Sequence, residues 1–149
     1  MSEVKIYQAT PQDVDKIVPL FDDYRIFYKK ESDVSGAKAF LSERLKNNES
    51  IIFICTKDDK PAGFAQLYPL FSSTRMRRLW LLNDLFVAAD FRGLEVSKAL
   101  IDACKNLSFE TGACGVMLET AKDNLIANNL YIKTHFELDE DHNYYFFGT

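Results

Sequence analysis

A strand, a turn and a helix are predicted where residues 79–101 read LWLLNDLFVAADFRGLEVSKALI. The first nine residues are apolar on both alternating faces, which is typical of a strand in the middle of a sheet that is covered on both sides. Only Asn83 and Asp84 interrupt them, and a buried amide or carboxylate is costly unless it is paired. In the helix that follows, an apolar stripe begins at Val96 and returns at Leu100. The segment therefore indicates a protein with both helices and a covered sheet.

The rest of the chain supplies further strands and helices on both sides of this segment. The predicted elements are a strand at 4–9, helices at 14–28 and 37–45, a hairpin over 51–70, a short strand at 116–118, a helix at 124–134, and strands at 136–138 and 144–147. This order favours an α/β (α+β) fold, in which a mixed central β-sheet is flanked by helices on both faces.

Length and composition predict a single domain, residues 1–149. Hydrophobic residues make up 47% of the chain and charged residues 27%, which excludes a disordered or low-complexity polymer. With 22 acidic and 18 basic residues the net charge is -4, so no basic excess is available to bind a nucleic acid. No run of about 18 apolar residues occurs, so we expect no segment that spans a membrane.

The cysteines bear on the compartment and on metal binding. Cys55, Cys104 and Cys114 are odd in number and form no CxxC or Cys/His spacing of the kind that binds zinc. We therefore expect reduced thiols, no metal, and a cytoplasmic location. The N-terminus also lacks the basic region and the apolar run of a secretory signal.

The turn between the central strand and its helix is a candidate anion site. The first backbone N–H groups of a helix have no partner inside it, and they lie at the positive end of the helix dipole. Arg92 adds positive charge at this point, and Gly93 allows a ligand to approach the backbone closely. The segment therefore predicts a phosphate site, with an ordinary capped surface turn as the alternative.

Two motifs in this order resemble those of the GNAT superfamily of acetyl-CoA-dependent N-acetyltransferases. Residues 81–100 resemble the family's strand followed by Q/R-x-x-G-x-G/A at the start of a helix. Further along, Asn124, Ala127, Tyr131 and Phe136 stand at the family's spacing. The order of predicted elements along the chain is also similar. The resemblance implies a GNAT fold, acetyl-CoA as cofactor, and transfer of its acetyl group to a primary amine of a small molecule or a peptide.

The resemblance also implies roles for individual residues. The backbone of the central strand would pair with the pantetheine arm of the cofactor, and the N–H groups at the helix start would hold its pyrophosphate. Asn124 would bond the cofactor further along. Tyr131 would protonate the leaving thiolate, and a packed core aromatic is the alternative for it. The implied cofactor-binding residues are Leu85, Phe86, Val87, Arg92, Gly93, Leu94, Glu95, Val96, Ser97, Lys98 and Asn124.

The sequence departs from the family's pattern at three positions. Glu95 and Ser97 occupy the places of small residues in the helix-start motif, and His135 replaces the Gly before Phe136. Glu95 would bring a negative charge to the pyrophosphate, and two unit charges about 4 Å apart interact by about 4 kcal/mol at an effective dielectric of about 20. The alternative function is therefore a catalytically impaired GNAT-fold binding module with a degenerate pyrophosphate loop.

Polar residues on otherwise apolar elements are candidates for the general base and the acceptor site. Asp84 is the first candidate base, because burial raises the proton affinity of a carboxylate. A structural carboxylate bonded to the backbone or to Arg77 or Arg78 is the alternative, and Glu119 is a second candidate base. Carboxylates beside aromatic rings suit a cationic amine. The predicted substrate-binding residues are Asp22, Tyr24, Tyr28 and Asn83, and for Asp22 a solvated helix face is the alternative.

The aromatic C-terminal segment is a candidate for self-association. The strand predicted at 144–147 would form a homodimer by pairing with a neighbouring copy, and this is compatible with either function. The expected partners are thus an amine substrate and a second copy of the chain, with neither nucleic acid nor membrane.

Overall fold

The computed structural model describes residues 3–149, apart from the side chain of Leu94. These residues form two compact units, one that ends at Leu118 and one that begins at Glu119. None of the helices in the described residues is long and apolar enough to cross a membrane.

The first unit contains one five-stranded sheet and three α-helices. Its elements are β1 (Val4–Gln8), a 3-10 helix (Pro11–Asp13), α1 (Val14–Phe27), α2 (Val34–Lys46), β2 (Ile51–Lys57), β3 (Lys60–Ser72), β4 (Arg77–Val87), a second 3-10 helix (Ala89–Phe91), α3 (Leu94–Glu110) and β5 (Val116–Met117). The sheet order is β1-β2-β3-β4-β5. The pairs β1–β2, β2–β3 and β3–β4 are antiparallel, and β5 runs parallel to β4.

Both faces of this sheet are covered, as predicted. Adjacent strand residues point to opposite faces, and Phe64 and Ala65 on β3 accordingly join two different buried clusters. The cluster around Phe64 contains Ile17 of α1 and Leu41 of α2. The cluster around Ala65 contains Leu100 of α3. Each large side chain buried in these clusters contributes about 1.5–3 kcal/mol, so the helices on both sides fix the sheet that carries the site.

Gly63 on β3 allows α3 to lie close to the sheet. A Cβ atom at Gly63 would lie 2.6 Å from the carbonyl oxygen of Phe86, and 3.2 Å from side-chain carbons of both Val96 and Leu100. Only a residue without a side chain fits this contact. The contact brings the first turns of α3 over the carboxyl end of β4, where the sequence predicts the phosphate site.

A β-bulge interrupts the pairing of β3 with β4. Gln66 is opposite Asp84, but Leu67 is opposite Leu82, so Asn83 is the extra residue on β4. A bulge changes the direction in which the neighbouring side chains point. It therefore explains how two adjacent polar residues are accommodated in a central strand.

The second unit contains one helix, α4 (Leu125–Lys133). The prediction of strands at 136–138 and 144–147 is wrong, because residues 136–149 form no strand in the structure. Aromatic residues favour strands only where a neighbouring strand and a buried face are available. Tyr144, Tyr145, Phe146 and Phe147 are instead exposed.

Candidate active site

One edge of β4 has no strand partner over its last five residues. On this side β5 pairs with β4 only at Trp80 and Leu81, and β5 ends at Met117. In the part of the chain that the structure describes, no strand pairs with this edge between Asn83 and Val87. The sheet is therefore open beside the carboxyl end of β4.

The backbone of β4 presents polar groups to this open edge. The N–H of Ala88 donates to the carbonyl of Ala62 across β3, at 2.8 Å. Because backbone groups alternate in direction along a strand, those of Phe86 point towards β3, and those of Leu85 and Val87 point to the open edge. Two of the three strand residues predicted to bind the cofactor thus direct backbone groups to the opening, and Phe86 does not.

The start of α3 lies just after this edge. Gly93 is its N-cap residue and has a φ of 147°, which L side chains rarely adopt. Ser97 is buried, and its hydroxyl donates to the Gly93 carbonyl at 3.3 Å. The hydroxyl that is predicted to bind phosphate thus makes this hydrogen bond within the start of the helix. Val96 packs on the sheet, and Lys98 is exposed. The helix start offers N–H groups that have no acceptor within the helix.

Arg92 connects the open edge to α1. Its Nε donates to the carbonyl of Val87 at 3.2 Å. Its guanidinium carbon lies 5.5 Å from the ring centre of Phe27 and 5.7 Å from that of Phe86. The side chain therefore places a permanent positive charge where β4 ends and α3 begins.

Glu95 differs from the sequence-based expectation in its electrostatics. Its Oε2 lies 3.1 Å from Nζ of Lys57, at the end of β2. Lys57 thus places a positive charge beside this carboxylate, and the effect of Glu95 on acetyl-CoA binding stays a prediction. Both side chains are partly exposed, so an ion pair of this kind contributes about 0.2–1 kcal/mol.

Asp84 is buried and its carboxylate is held by two side-chain amides. Its Oδ2 accepts from Nε2 of Gln66 at 2.6 Å, and its Oδ1 accepts from Nδ2 of Asn83 at 3.0 Å. Arg77 donates instead to two backbone carbonyls beyond α3, and Arg78 lies over two aromatic rings. The alternative of an arginine partner for Asp84 is therefore wrong.

Burial sets the proton affinity of this carboxylate. Removal from water raises the pKa of Asp84, and hydrogen bonds from Gln66, Tyr24 and Asn83 oppose that rise. Burial also raises the pKa of Tyr68 to about 12, with a further contribution from the charge of Asp84. A carboxylate whose pKa is raised towards neutrality is suited to general-base catalysis.

Two of the predicted substrate-side residues, Tyr24 and Asn83, contact Asp84, and a third, Tyr28, packs against Tyr24. The hydroxyl of Tyr24 is 3.4 Å from the backbone carbonyl of Asn83, at the bulge. The ring of Tyr28 packs edge-on against that of Tyr24, with 5.0 Å between centroids, and Tyr28 is half exposed. The Tyr24 ring also lies 6.0 Å from that of Phe86. The structure thus brings a carboxylate and two tyrosines together on one face of β4.

Asp22 has a different environment from the one predicted. Its carboxylate accepts from the Ser32 hydroxyl at 2.6 Å and from the Asp33 N–H at 2.8 Å. These two hydrogen bonds, that of Ser32 first, lower the pKa of Asp22. The side chain is buried, so the alternative of a solvated face is wrong for Asp22, whereas the neighbouring Asp23 is exposed. In this structure Asp22 fixes the connection between α1 and α2.

In the second unit, Asn124 caps α4. Its Oδ1 accepts from the N–H of Ala127 at 3.1 Å. An N-cap side chain bonds to the N–H two or three residues later, which explains the spacing of Asn124 and Ala127. The capping oxygen is therefore engaged within the helix. The second candidate base, Glu119, is exposed.

The end of α4 is a Schellman motif that involves Tyr131. The N–H of Phe136 donates to the carbonyl of Tyr131 at 2.9 Å, and the N–H of His135 donates to that of Ile132 at 3.1 Å. His135 has a φ of 71°, a conformation that Gly usually supplies at this position. The rings of Tyr131 and Phe136 pack with 5.6 Å between centroids. Tyr131 therefore has a structural contact as well as its predicted catalytic role.

The sequence pattern singles out neither Gln66 nor Lys57 for the site. Gln66 is fully buried in β3, and it is the one amide in the otherwise apolar run 61–71. An unexplained polar residue in such a strand is a signal of the same kind as the one that identified Asp84. Lys57 gives no such signal, because charged residues are common at strand ends.

The cysteines form no bond or metal site in the described residues. Cys55, Cys104 and Cys114 are free, and the first two are buried. Burial raises the pKa of the Cys55 thiol to about 11 and that of Cys104 to about 12. Among residues 3–149, no three His, Cys, Asp or Glu side chains are placed to hold a metal ion.

A mixed sheet covered on both faces, and open at β4 beside a helix N-terminus, defines this protein as one with the acetyltransferase fold. The model of the acetyltransferase (GNAT) family matches residues 17–136. The chain belongs to this family, and it is accordingly an enzyme of the acetyltransferase class.

Individual relatives agree with this membership. The uncharacterized N-acetyltransferase YhfO of Bacillus subtilis (strain 168) is 42% identical over 136 residues, which cover 91% of each chain. A probable acetyltransferase of Haemophilus influenzae is 31% identical over 121 residues, or 80% of this chain and 83% of the relative. The crystal structure of a probable acetyltransferase, 35% identical, matches with a TM-score of 0.93 over 97% of each chain. Aminoglycoside N-acetyltransferase AAC(6′)-Iy, solved in complex with CoA, is similar in fold, with a TM-score of 0.81 at 22% identity over 97% of this chain and 95% of that one.

Proposed function

We propose that the protein transfers the acetyl group of acetyl-CoA to a primary amine of a small molecule or a peptide. The observation that carries this proposal is the open edge of β4, which lies beside the N-terminus of α3. Backbone groups of a strand and of a helix start are thereby available at one place to an elongated ligand with amides and phosphates.

The residues around the opening fit such a cofactor. Backbone groups of Leu85 and Val87 suit the amides of a pantetheine arm, and the N–H groups of residues 94–97 suit a pyrophosphate. The guanidinium of Arg92 adds positive charge, and Lys57 compensates Glu95. When bound, acetyl-CoA would supply an activated thioester. The proposed binding set is the one that the resemblance implies, with Asn124 included and without Phe86, whose backbone groups point towards β3.

Asp84 is the proposed general base. It takes a proton from the ammonium group of the acceptor, so that an N–H bond breaks, an O–H bond forms, and the nitrogen lone pair becomes free to attack the thioester carbonyl. The faces of Tyr24 and Tyr28 suit a cationic amine beside this carboxylate, and Asn83 holds the carboxylate in place. The role of Asp22 in substrate binding stays a prediction.

Tyr131 is the proposed donor of a proton to the leaving thiolate, because a phenol is neutral and protonated at pH 7. We expect Tyr131→Phe to lower kcat by about 10²-fold or more, the usual contribution of a general acid. Affinity for acetyl-CoA should not change, since Phe keeps the ring contact with Phe136. Steady-state kinetics and calorimetric titration measure the two quantities. Unchanged kcat would exclude the role.

Thermal unfolding with increasing acetyl-CoA tests the cofactor proposal. A ligand that binds only the folded state stabilises it by about 2.7 kcal/mol at 100 times its Kd. A rise in melting temperature, together with release of thiol in a screen of primary amines, is the expected result. A rise without thiol release for any amine would favour the alternative, a catalytically impaired binding module. No rise at millimolar acetyl-CoA would also favour that alternative, because a degenerate pyrophosphate loop would not bind the cofactor.

The proposal includes a homodimer in the cytoplasm. Tyr144, Tyr145, Phe146 and Phe147 are between 70% and 95% exposed, and contiguous exposed apolar residues mark interaction sites. A second copy that pairs with this segment would cover them, and light scattering should give twice the mass of one chain. A monomer would exclude the pairing. The three free cysteines support a reducing compartment.

A further inference from the structure

Gln66 is buried, and only one of the two polar atoms of its side-chain amide has a hydrogen-bond partner. Its Nε2 donates to Asp84, but its Oε1 is buried and has no hydrogen-bond partner within the described residues. A buried acceptor without a partner costs about 1–3 kcal/mol. A methionine of similar shape would fill the same space without that cost. The amide therefore has a purpose other than packing.

The contact between Gln66 and Asp84 is short for an amide donor. The two atoms are 2.6 Å apart, whereas N–H···O distances are commonly about 2.7–3.2 Å and O–H···O distances about 2.5–3.0 Å. A half-turn of the terminal amide exchanges Nε2 for Oε1. In that orientation Oε1 gains a donor when Asp84 carries a proton. One side chain thus serves both the carboxylate and the carboxylic acid.

We propose that Gln66 is the positioning residue for Asp84, and that it holds this side chain in both protonation states by turning its amide between the Nε2 donor and the Oε1 acceptor. The inference rests on the proposed role of Asp84 as general base. When Asp84 takes the proton of the acceptor ammonium, the new O–H donates to Oε1. The proton leaves to solvent before the next turnover, and Nε2 then donates again.

The other groups that face Asp84 do not replace this function. Tyr24 approaches from α1 and Asn83 from β4 itself. Tyr68 lies nearby on β3, and its pKa of about 12 keeps the phenol neutral across the working range. Arg44 of α2 acts on Tyr68, and its guanidinium keeps one charge state. Gln66 differs from both donors in its burial: Gln66 is fully buried, whereas Asn83 is exposed and Tyr24 is partly buried, so solvent does not replace the amide of Gln66 when it is removed.

The test is Gln66→Met, with Ser50→Ala as the matched control. Ser50 is also buried with a polar atom that has no partner, and it lies before β2, outside the proposed site. In Gln66→Met the carboxylate loses a charge-assisted hydrogen bond and the protonated acid loses a neutral one. The charge-assisted bond is about twice as strong, so the net effect raises the pKa of Asp84. We expect the acid limb of kcat/KM for the amine to move up by about one pH unit, the equivalent of about 1.4 kcal/mol. Ser50→Ala should leave the limb in place.

A second measurement separates this inference from the proposed function. Infrared difference spectra across a pH titration report the carbonyl band of protonated Asp84. The band is assigned to Asp84 by its absence from the spectra of Asp84→Asn. The midpoint should rise in Gln66→Met whether or not any amine is acetylated. A midpoint equal to that of the wild type would overturn the inference. If Gln66→Met does not fold, Gln66→Glu must raise the apparent pKa of the coupled pair, and an unchanged titration would overturn it equally.

Discussion

At the residue scale, Glu95 is the acidic side chain at the proposed pyrophosphate site. Because Lys57 compensates it, we expect Glu95→Gln to tighten acetyl-CoA binding by less than tenfold, in place of the orders of magnitude that an isolated charge would give. Lys57→Met exposes the carboxylate and should raise the Kd about two- to fivefold, the range of an exposed ion pair. Calorimetric titration of the variants with acetyl-CoA measures both effects.

The pair also makes a prediction about coupling. In the Glu95→Gln background, Lys57→Met should change the Kd less than it does in the wild type, because the charge that it compensates is gone. Lys38→Met is the control, since Lys38 forms a 2.9 Å ion pair with Asp15, outside the proposed site. Equal effects of Lys57→Met in both backgrounds would show that the two residues act independently.

At the scale of the elements, the close contact between α3 and β3 positions the proposed phosphate site. A methyl group at Gly63 would meet backbone and side-chain atoms at 2.6 and 3.2 Å. We therefore expect Gly63→Ala to lower the free energy of unfolding by about 1–3 kcal/mol, and to weaken acetyl-CoA binding because the start of α3 must shift. Urea unfolding and calorimetric titration measure these effects. Gly115→Ala is the control, with nothing within 4 Å of the added carbon, and should change neither quantity.

The sequence predicts well those elements whose spacing of apolar residues shows which of their faces are buried. β4 and α3 follow from an apolar strand and a helical stripe. The polar pair Asn83 and Asp84 is unusual in such a strand, but it does not predict the bulge at this position. The prediction of C-terminal strands is wrong, because aromatic residues do not form a strand without a neighbouring strand to pair with. The contact of Lys57 with Glu95 joins residues 38 positions apart, so no local pattern contains it.

Capping explains another part of the motif by which the family is recognised. The spacing of Asn124 and Ala127 is that of an N-cap, and Tyr131 and Phe136 make the apolar contact of a Schellman motif. A sequence comparison therefore cannot separate the residues that end a helix from those that perform chemistry. The kinetics of Tyr131→Phe make that separation, because this substitution keeps the cap and removes the hydroxyl.

For the whole molecule, two buried carboxylates affect stability with opposite signs. The pKa of Asp84 is raised above 3.8, chiefly by burial, so the folded state binds more protons there and loses stability as the pH rises through the interval from 3.8 to the folded pKa. The pKa of Asp22 is lowered from 3.8, chiefly by Ser32, so its contribution is present above 3.8 and is lost as the pH falls through the folded pKa. The Asp22 effect is at full size at neutral pH, and the Asp84 effect is at full size above the folded pKa of Asp84.

Replacing each carboxylate by its amide should therefore move stability in opposite directions. At neutral pH we expect Asp84→Asn to unfold at higher urea concentration than the wild type, because the burial cost of a charge is removed. Asp22→Asn should unfold at lower concentration, because the hydrogen bonds of a charged acceptor are lost. Below pH 3.8 the wild-type Asp84 is protonated, so the advantage of Asp84→Asn should disappear. Urea unfolding from pH 3 to pH 8 measures these differences. The opposite result would be an Asp84→Asn protein that is less stable than the wild type at neutral pH. It would mean that the hydrogen bonds from Gln66 and Asn83 outweigh the cost of burying the charge, and that Asp84 is a structural anion.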